Sequence, residues 1–177
     1  MNCNICAYIL IAALAYGPLA WAQDIHIRIV NARNGKPITD ECLNISLGKW
    51  HGAELLAQTN SDGAVVLHLK GGQVTVVTNS PKACNTEAIV GPKPFTDDKR
   101  SISVMGDIYV VCQEYGNNVS GQPPPFNGDL IPTYAVTKIL ESGMTAANTC
   151  GKVRAQAGKG ELLLFARPMS FWERMKL

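Results

Sequence analysis

Apolar and polar residues alternate along much of this chain with a period of two, which is typical of half-buried β-strands. The clearest run covers residues 24–32, where Ile25, Ile27 and Ile29 fall on one face and Arg28 on the other. Six further runs predict strands at residues 42–47, 54–59, 64–69, 73–78, 102–112 and 161–167. The pattern therefore predicts a mainly β fold, an antiparallel β-sandwich of about seven strands, either transthyretin-like or immunoglobulin-like.

Turn residues separate these runs. Gly35 lies in an Asn-Gly-Lys-Pro turn, and Gly63 follows Asp62 in the strongest hairpin signal of the chain. A helical period over residues 133–142, followed by a glycine, predicts one short helix. Capping-box spacing at residues 170–173 predicts a short C-terminal helical turn.

The faces of the predicted strands also predict the core. Its members are the inward apolar positions Ile25, Ile27, Ile29, Leu43, Ile45, Val65, Leu67, Val74, Val76, Leu162 and Leu164.

The first 22 residues are uncharged and largely apolar, and they end in the small-residue pattern Ala-Trp-Ala. This pattern predicts a signal peptide over residues 1–22, although no basic residue precedes the apolar run. A membrane anchor over residues 5–22 is the alternative. Cleavage would leave residues 23–177 as one secreted or periplasmic domain, with long loops at 80–101 and 114–132.

The formal net charge is only +2, which gives no reason to expect nucleic acid as a partner. The end of the chain is locally basic, because residues 152–177 contain six lysines and arginines against two glutamates. We interpret this imbalance as a solvated surface, and an acidic partner or an anionic headgroup is the alternative.

Four cysteines follow the predicted signal peptide, and an even number in a secreted chain predicts two disulfides. Three pairings are possible. We favour Cys112 with Cys150, because one closes a strand and the other follows the helix that must return to the sheet. Cys42 and Cys84 then form the second pair. Zinc is the alternative, but none of the four has a cysteine close enough in sequence to form the usual ligand pair.

Two segments together resemble the carboxypeptidase regulatory-like family, whose fold is the transthyretin-like β-sandwich. The first is residues 29–38, IVNARNGKPI, and the second is residues 57–67, AQTNSDGAVVL. The second half of the chain, around residues 134–143, 148–152 and 160–173, resembles small secreted bacterial proteins of unassigned function. The resemblance implies a non-catalytic accessory or binding module and supplies no site residues.

No catalytic motif is found, so we expect neither an enzyme nor a cofactor. The related hydrolase of 5-hydroxyisourate has a histidine where this chain has Arg28, and its C-terminal Tyr-Arg-Gly-Ser is missing. His26 and His68 fall opposite the apolar faces of their strands. If those strands were neighbours, the two histidines could form a surface pair or a weak metal site, but solvated side chains are the simpler interpretation.

Two groups of side chains are candidate binding sites. Trp50, His51 and Tyr115 could form an aromatic platform for a sugar or peptide. Phe171, Trp172 and Met175 could dock on a membrane surface or a partner, although we expect the C-terminal turn to pack against its own domain. The sequence thus predicts a secreted binding or accessory module for carbohydrate or an envelope protein. The alternative is a structural or assembly protein that docks through its C-terminal aromatic-basic turn.

Overall fold

The computed structural model describes residues 23–48, 54–77, 84, 92–95, 100–107, 109–112 and 131–175. Within these residues the chain forms eleven strands and two short helices. The strands are β1 (Gln23–Asn31), β2 (Cys42–Leu47), β3 (Leu55–Gln58), β4 (Ala64–Lys70), β5 (Gln73–Val77), β6 (Lys93–Pro94), β7 (Ser101–Gly106), β8 (Tyr109–Val111), β9 (Tyr134–Ala135), β10 (Met144–Thr145) and β11 (Glu161–Pro168). The helices are α1 (Val136–Ser142) and α2 (Phe171–Arg174).

The strands form two sheets, which confirms the predicted mainly β sandwich. The first sheet has the order β10-β11-β1-β4-β5-β6, and β8 pairs with the second half of β11. The second sheet has the order β3-β2-β7-β9. The strand count exceeds the predicted seven because three two-residue strands, β6, β9 and β10, extend the sheet edges, and because the turn at Gly106 divides one predicted strand into β7 and β8.

The first sheet is mixed, which corrects the wholly antiparallel arrangement predicted from the sequence. β11 runs parallel to both β1 and β10, whereas the remaining pairs are antiparallel. The apolar run Leu162–Phe165 agrees with this position, because β11 is buried on both faces and such strands lose the alternating pattern. Tight turns in the sequence predict antiparallel neighbours, so they gave no indication that β11 pairs in parallel with β1.

The main core lies between the sheets and contains every predicted core residue except one. Ile25, Ile27 and Ile29 of β1 are almost completely buried, as is Leu67 of β4. The exception is Val76, which packs against this core but is only half-buried. It is partly exposed because β5 lies close to the edge of its sheet, beside the short β6.

A second, smaller apolar cluster lies on the outer face of the first sheet. Its buried members are Val30, Ala32, Cys112, Leu163 and Phe165. The segment of residues 150–158, named the strap here, covers this cluster with the side chains of Cys150, Val153, Ala155 and Ala157. Val30 lies on the same face of β1 as Arg28, and it is buried because the strap covers this face there.

Both predicted disulfides are present. Cys42 pairs with Cys84, and their Cα atoms are 5.7 Å apart. Cys112 pairs with Cys150 at a Cα distance of 5.5 Å, so the second disulfide ties the start of the strap to the end of β8.

The predicted helix begins later than expected, at Val136, because Tyr134 and Ala135 pair with β7. It ends at Gly143, whose φ of 78° is accessible to glycine without strain. A Cβ at Gly143 would also overlap the carbonyl of Gly158 in the strap. Glycine is therefore required here both for the turn and for close packing.

Candidate functional site

The C-terminal turn is the strongest candidate site in the described part of the chain. β11 ends at Pro168, where it pairs with Tyr109 of β8, and α2 begins three residues later. The backbone N–H of Met175 donates to the carbonyl of Phe171 at 3.2 Å, so the two residues share one face of the turn.

Three large apolar side chains on this turn are exposed to solvent. Phe171 is 68% exposed, Trp172 72% and Met175 65%. The two aromatic rings meet edge to face, with centroids 5.6 Å apart. Only one other large apolar side chain among the described residues, Val77, is exposed, so this clustering on a single turn is distinctive.

This exposure corrects the expectation that the turn packs against its own domain. The last buried residues of β11 are Phe165 and Ala166, and they already complete the second cluster and the main core. Exposure rises from Arg167 onward. Among the described residues, the turn therefore begins beyond the end of both apolar clusters.

Basic residues follow the aromatic side chains in the sequence. Arg174 and Lys176 lie within and directly after the turn, and Glu173 is the only acidic residue after Pro168. Residues 170–177 thus combine exposed apolar side chains with a formal side-chain charge of +1, from Arg174 and Lys176 against Glu173.

A second feature is a shallow cleft of about 290 Å³ between the β4–β5 turn and α1. Lys70 and Arg100 bring positive charge to it, and Phe95 and Leu140 bring apolar surface. Its volume is at the lower limit of ligand pockets. Sequence reasoning missed this cleft because its lining comes from five separate segments, and no local pattern joins them.

A polar row crosses the outer face of the first sheet. β1 and β4 are neighbours, and Nδ1 of His68 lies 2.6 Å from Oδ1 of Asp24. His26 is exposed on the same face but lies opposite Val66 in the strand register. His68 is therefore paired with a carboxylate of the neighbouring strand, and within the described residues no group of three potential ligands could hold a metal ion.

The same row contains an ion pair between Nε of Arg28 and Oε1 of Glu161. Burial of Glu161 acts to raise the pKa of its carboxyl. The hydrogen bond from Arg28, the N–H of Gly158 and the positive charge nearby act in the opposite direction, and together they lower this pKa below its ordinary value of 4.5. Glu161 is thus held in its charged form and fixes the start of β11 to β1 and the strap.

The other predicted platform, formed by Trp50, His51 and Tyr115, lies outside the described residues. The carbohydrate or peptide site that depends on it stays a prediction. Among the residues that the structure describes, no helix is long and apolar enough to cross a membrane.

Comparison with known proteins gives no relative for this chain: no family model, curated protein or solved structure matches it.

Proposed function

We propose that this protein is a secreted, non-catalytic accessory module that attaches to an anionic membrane surface through its C-terminal aromatic turn. The observation that carries the proposal is the exposure of Phe171, Trp172 and Met175 together on one turn. Exposed apolar clusters of this kind on soluble domains mark interaction surfaces.

The size and composition of the turn favour a membrane over a protein partner. A stable protein interface buries about 800 Å² on each side. Two aromatic rings, at roughly 150–250 Å² each, and one methionine fall short of that area. A membrane interface requires no matching shape, and aromatic rings concentrate there. Arg174 and Lys176 add attraction to anionic headgroups, at about 1 kcal/mol for each basic residue near the surface.

One observation supports the proposed secretion. The structure has two disulfides, and disulfides persist in oxidising compartments such as the periplasm and the extracellular space. The predicted signal peptide, residues 1–22, lies outside the described residues and remains part of the proposal.

The proposed relationship to carboxypeptidase regulatory-like domains has support from the packing of the two motifs that suggested it. The N–H of Ile29 donates to the carbonyl of Gly63 at 2.8 Å, and Val30 forms an isolated bridge with Pro37. A Cβ at Gly63 would lie 2.6 Å from the carbonyl oxygen of Ile29 and 3.0 Å from the backbone nitrogen of Ile38. The two motifs thus form one packed unit that requires glycine at position 63.

Vesicle co-sedimentation tests the membrane proposal. We expect the protein lacking residues 1–22 to bind vesicles containing phosphatidylglycerol and to bind pure phosphatidylcholine vesicles much less. Serine at positions 171, 172 and 175 together should abolish binding. Val77→Ser is the matched control, because Val77 is also exposed but lies on β5.

The charged contribution is tested separately. Arg174→Gln and Lys176→Gln should each weaken binding to anionic vesicles roughly fivefold. If the triple serine variant and the unchanged protein sediment equally with anionic vesicles, membrane attachment through the turn is refuted. Loss of binding in Val77→Ser alone would place the attachment surface on the first sheet instead.

A further inference from the structure

The strap is anchored at both ends of its path across the first sheet. At its start, the Cys112–Cys150 disulfide holds it, and Asn148 Nδ2 donates to the carbonyls of Ala32 and Val153 at 2.9 and 3.2 Å. A Cβ at Gly151 would overlap the carbonyl of Ala32, so the chain approaches β1 closely here. This end of the strap is fixed by covalent, polar and packing contacts.

The far end is held equally firmly. The N–H of Ala157 donates to Oγ1 of Thr145 at 2.8 Å, and the N–H of Gly158 donates to Oε2 of Glu161 at 2.7 Å. The carbonyl of Gly158 lies against Gly143, where no Cβ fits.

Between these anchors the strap is an extended chain. The strap starts beside Ala32, which lies next to Ala166 near the end of β11. It ends beside Glu161, at the start of β11. It therefore covers most of the length of β11 with a similar number of residues, which requires roughly 3.3 Å per residue. The strict alternation of half-buried and exposed residues over 151–158 agrees with this geometry.

On one edge of this extended chain, backbone groups have no hydrogen-bond partner among the described residues. Successive N–H groups of an extended chain point to opposite sides, so the bonded N–H groups of Val153 and Ala157 lie on the same side. The backbone N–H groups on the other side belong to Lys152, Arg154 and Gln156. No described residue donates to or accepts from the backbone of these three, and all three are exposed.

We propose that this edge of the strap, from Lys152 to Gln156, binds an extended acidic peptide segment of a partner protein as an added β-strand. The disulfide and the two glycine contacts hold the edge in the extended form before binding, which reduces the entropy cost of strand addition. This surface is separate from the C-terminal turn, and the proposal does not depend on membrane attachment.

Charge identifies the chemistry of the partner. Lys152 and Arg154 stand two residues apart on the solvent-facing side of the strap, so a paired strand with glutamate or aspartate at alternate positions would oppose them. A second copy of this chain fits poorly. Antiparallel pairing about the middle of the strap would place Arg154 opposite Arg154 of the other copy, which is repulsive.

Titration with two synthetic peptides tests the proposal. The first alternates threonine and glutamate, and the second alternates threonine and lysine. We expect only the first to bind, with chemical-shift changes centred on residues 152–156. Gln156→Pro removes one free N–H and should weaken binding roughly tenfold. Gln156→Ala, which keeps that N–H, should bind as the unchanged protein does.

Charge reversal gives an independent arm. The double variant Lys152→Glu and Arg154→Glu should lose the glutamate peptide and gain the lysine peptide. The charge-reversal variant and Gln156→Pro must each keep the melting temperature of the unchanged chain. The same melting measurement on Gln156→Ala is the control. Absence of binding by either peptide, equal binding by Gln156→Pro and Gln156→Ala, or strap-dependent dimerisation would each overturn the proposal.

Discussion

Two neighbouring apolar segments at the end of the chain have opposite environments. Phe165 of β11 is 2% exposed, whereas Phe171 of α2, six residues later, is 68% exposed. The first ring is enclosed by the second apolar cluster under the strap, whereas the second meets the ring of Trp172 and is largely exposed.

The difference shows that position in the topology, and not local hydrophobicity, decides burial at this end of the chain. β11 is buried because β1 lies on one side of it, β8 and β10 on the other, and a layer covers each face. α2 follows after the sheet has ended, so the same kind of side chain remains in solvent. An apolar segment without a neighbouring layer is available for attachment.

The largest predicted effect is on the buried ring. Phe165→Ala should lower the free energy of unfolding by about 3–5 kcal/mol, because it removes a buried aromatic side chain and leaves a cavity. Phe171→Ala is the matched variant and should change stability by less than about 0.5 kcal/mol. Urea denaturation measures both. Similar losses in the two variants would mean that α2 packs on the domain after all.

The second prediction concerns the disulfide that holds the strap. Replacing Cys112 and Cys150 by alanine should cost about 3–4 kcal/mol through loop closure. The Cys42–Cys84 disulfide closes a loop of similar length, so replacing both of its cysteines by alanine should cost a similar amount. Only the loss of the Cys112–Cys150 disulfide should speed hydrogen exchange at the amide of Ala157, because only that disulfide anchors the strap. Equal exchange in both variants would contradict this role.

The local parts of the fold were predictable from the sequence. Asp62-Gly63 forms the predicted turn, but the hairpin predicted there is wrong, because β3 pairs with β2 in the second sheet and β4 pairs with β1 and β5 in the first. Alternation located the long strands, and the cysteine pairing followed from which elements had to meet. These features depend on neighbouring residues or on simple connectivity, which a single sequence contains.

Features that depend on long-range assembly were not predictable in the same way. The parallel pairing of β1 and β11 joins residues far apart in the chain, such as His26 and Glu161. The strap shows a period of two in Val153, Ala155 and Ala157, but that signal was short and lacked the turn residues that mark a strand. The exposure of Trp172 depends on where both cores end, which no local pattern records.

A smaller effect is expected from pH at the start of β11. The lowered pKa of Glu161 means that its ion pair with Arg28 stabilises the fold above about pH 4.5 and is lost as the pH falls through the folded-state pKa. Because Arg28 is partly exposed, the contribution should stay below about 1 kcal/mol. Glu161→Gln should therefore lose stability at pH 7 and show a weaker acid dependence between pH 7 and the acid transition. An unchanged acid dependence would contradict this assignment.

The most direct test of the central claim is deletion of residues 170–177, followed by thermal melting and vesicle binding on the same sample. If the turn serves attachment and not folding, the melting temperature should shift by less than about 1 °C, and binding to anionic vesicles should be lost. A clear fall in melting temperature, or full retention of vesicle binding, would contradict the account.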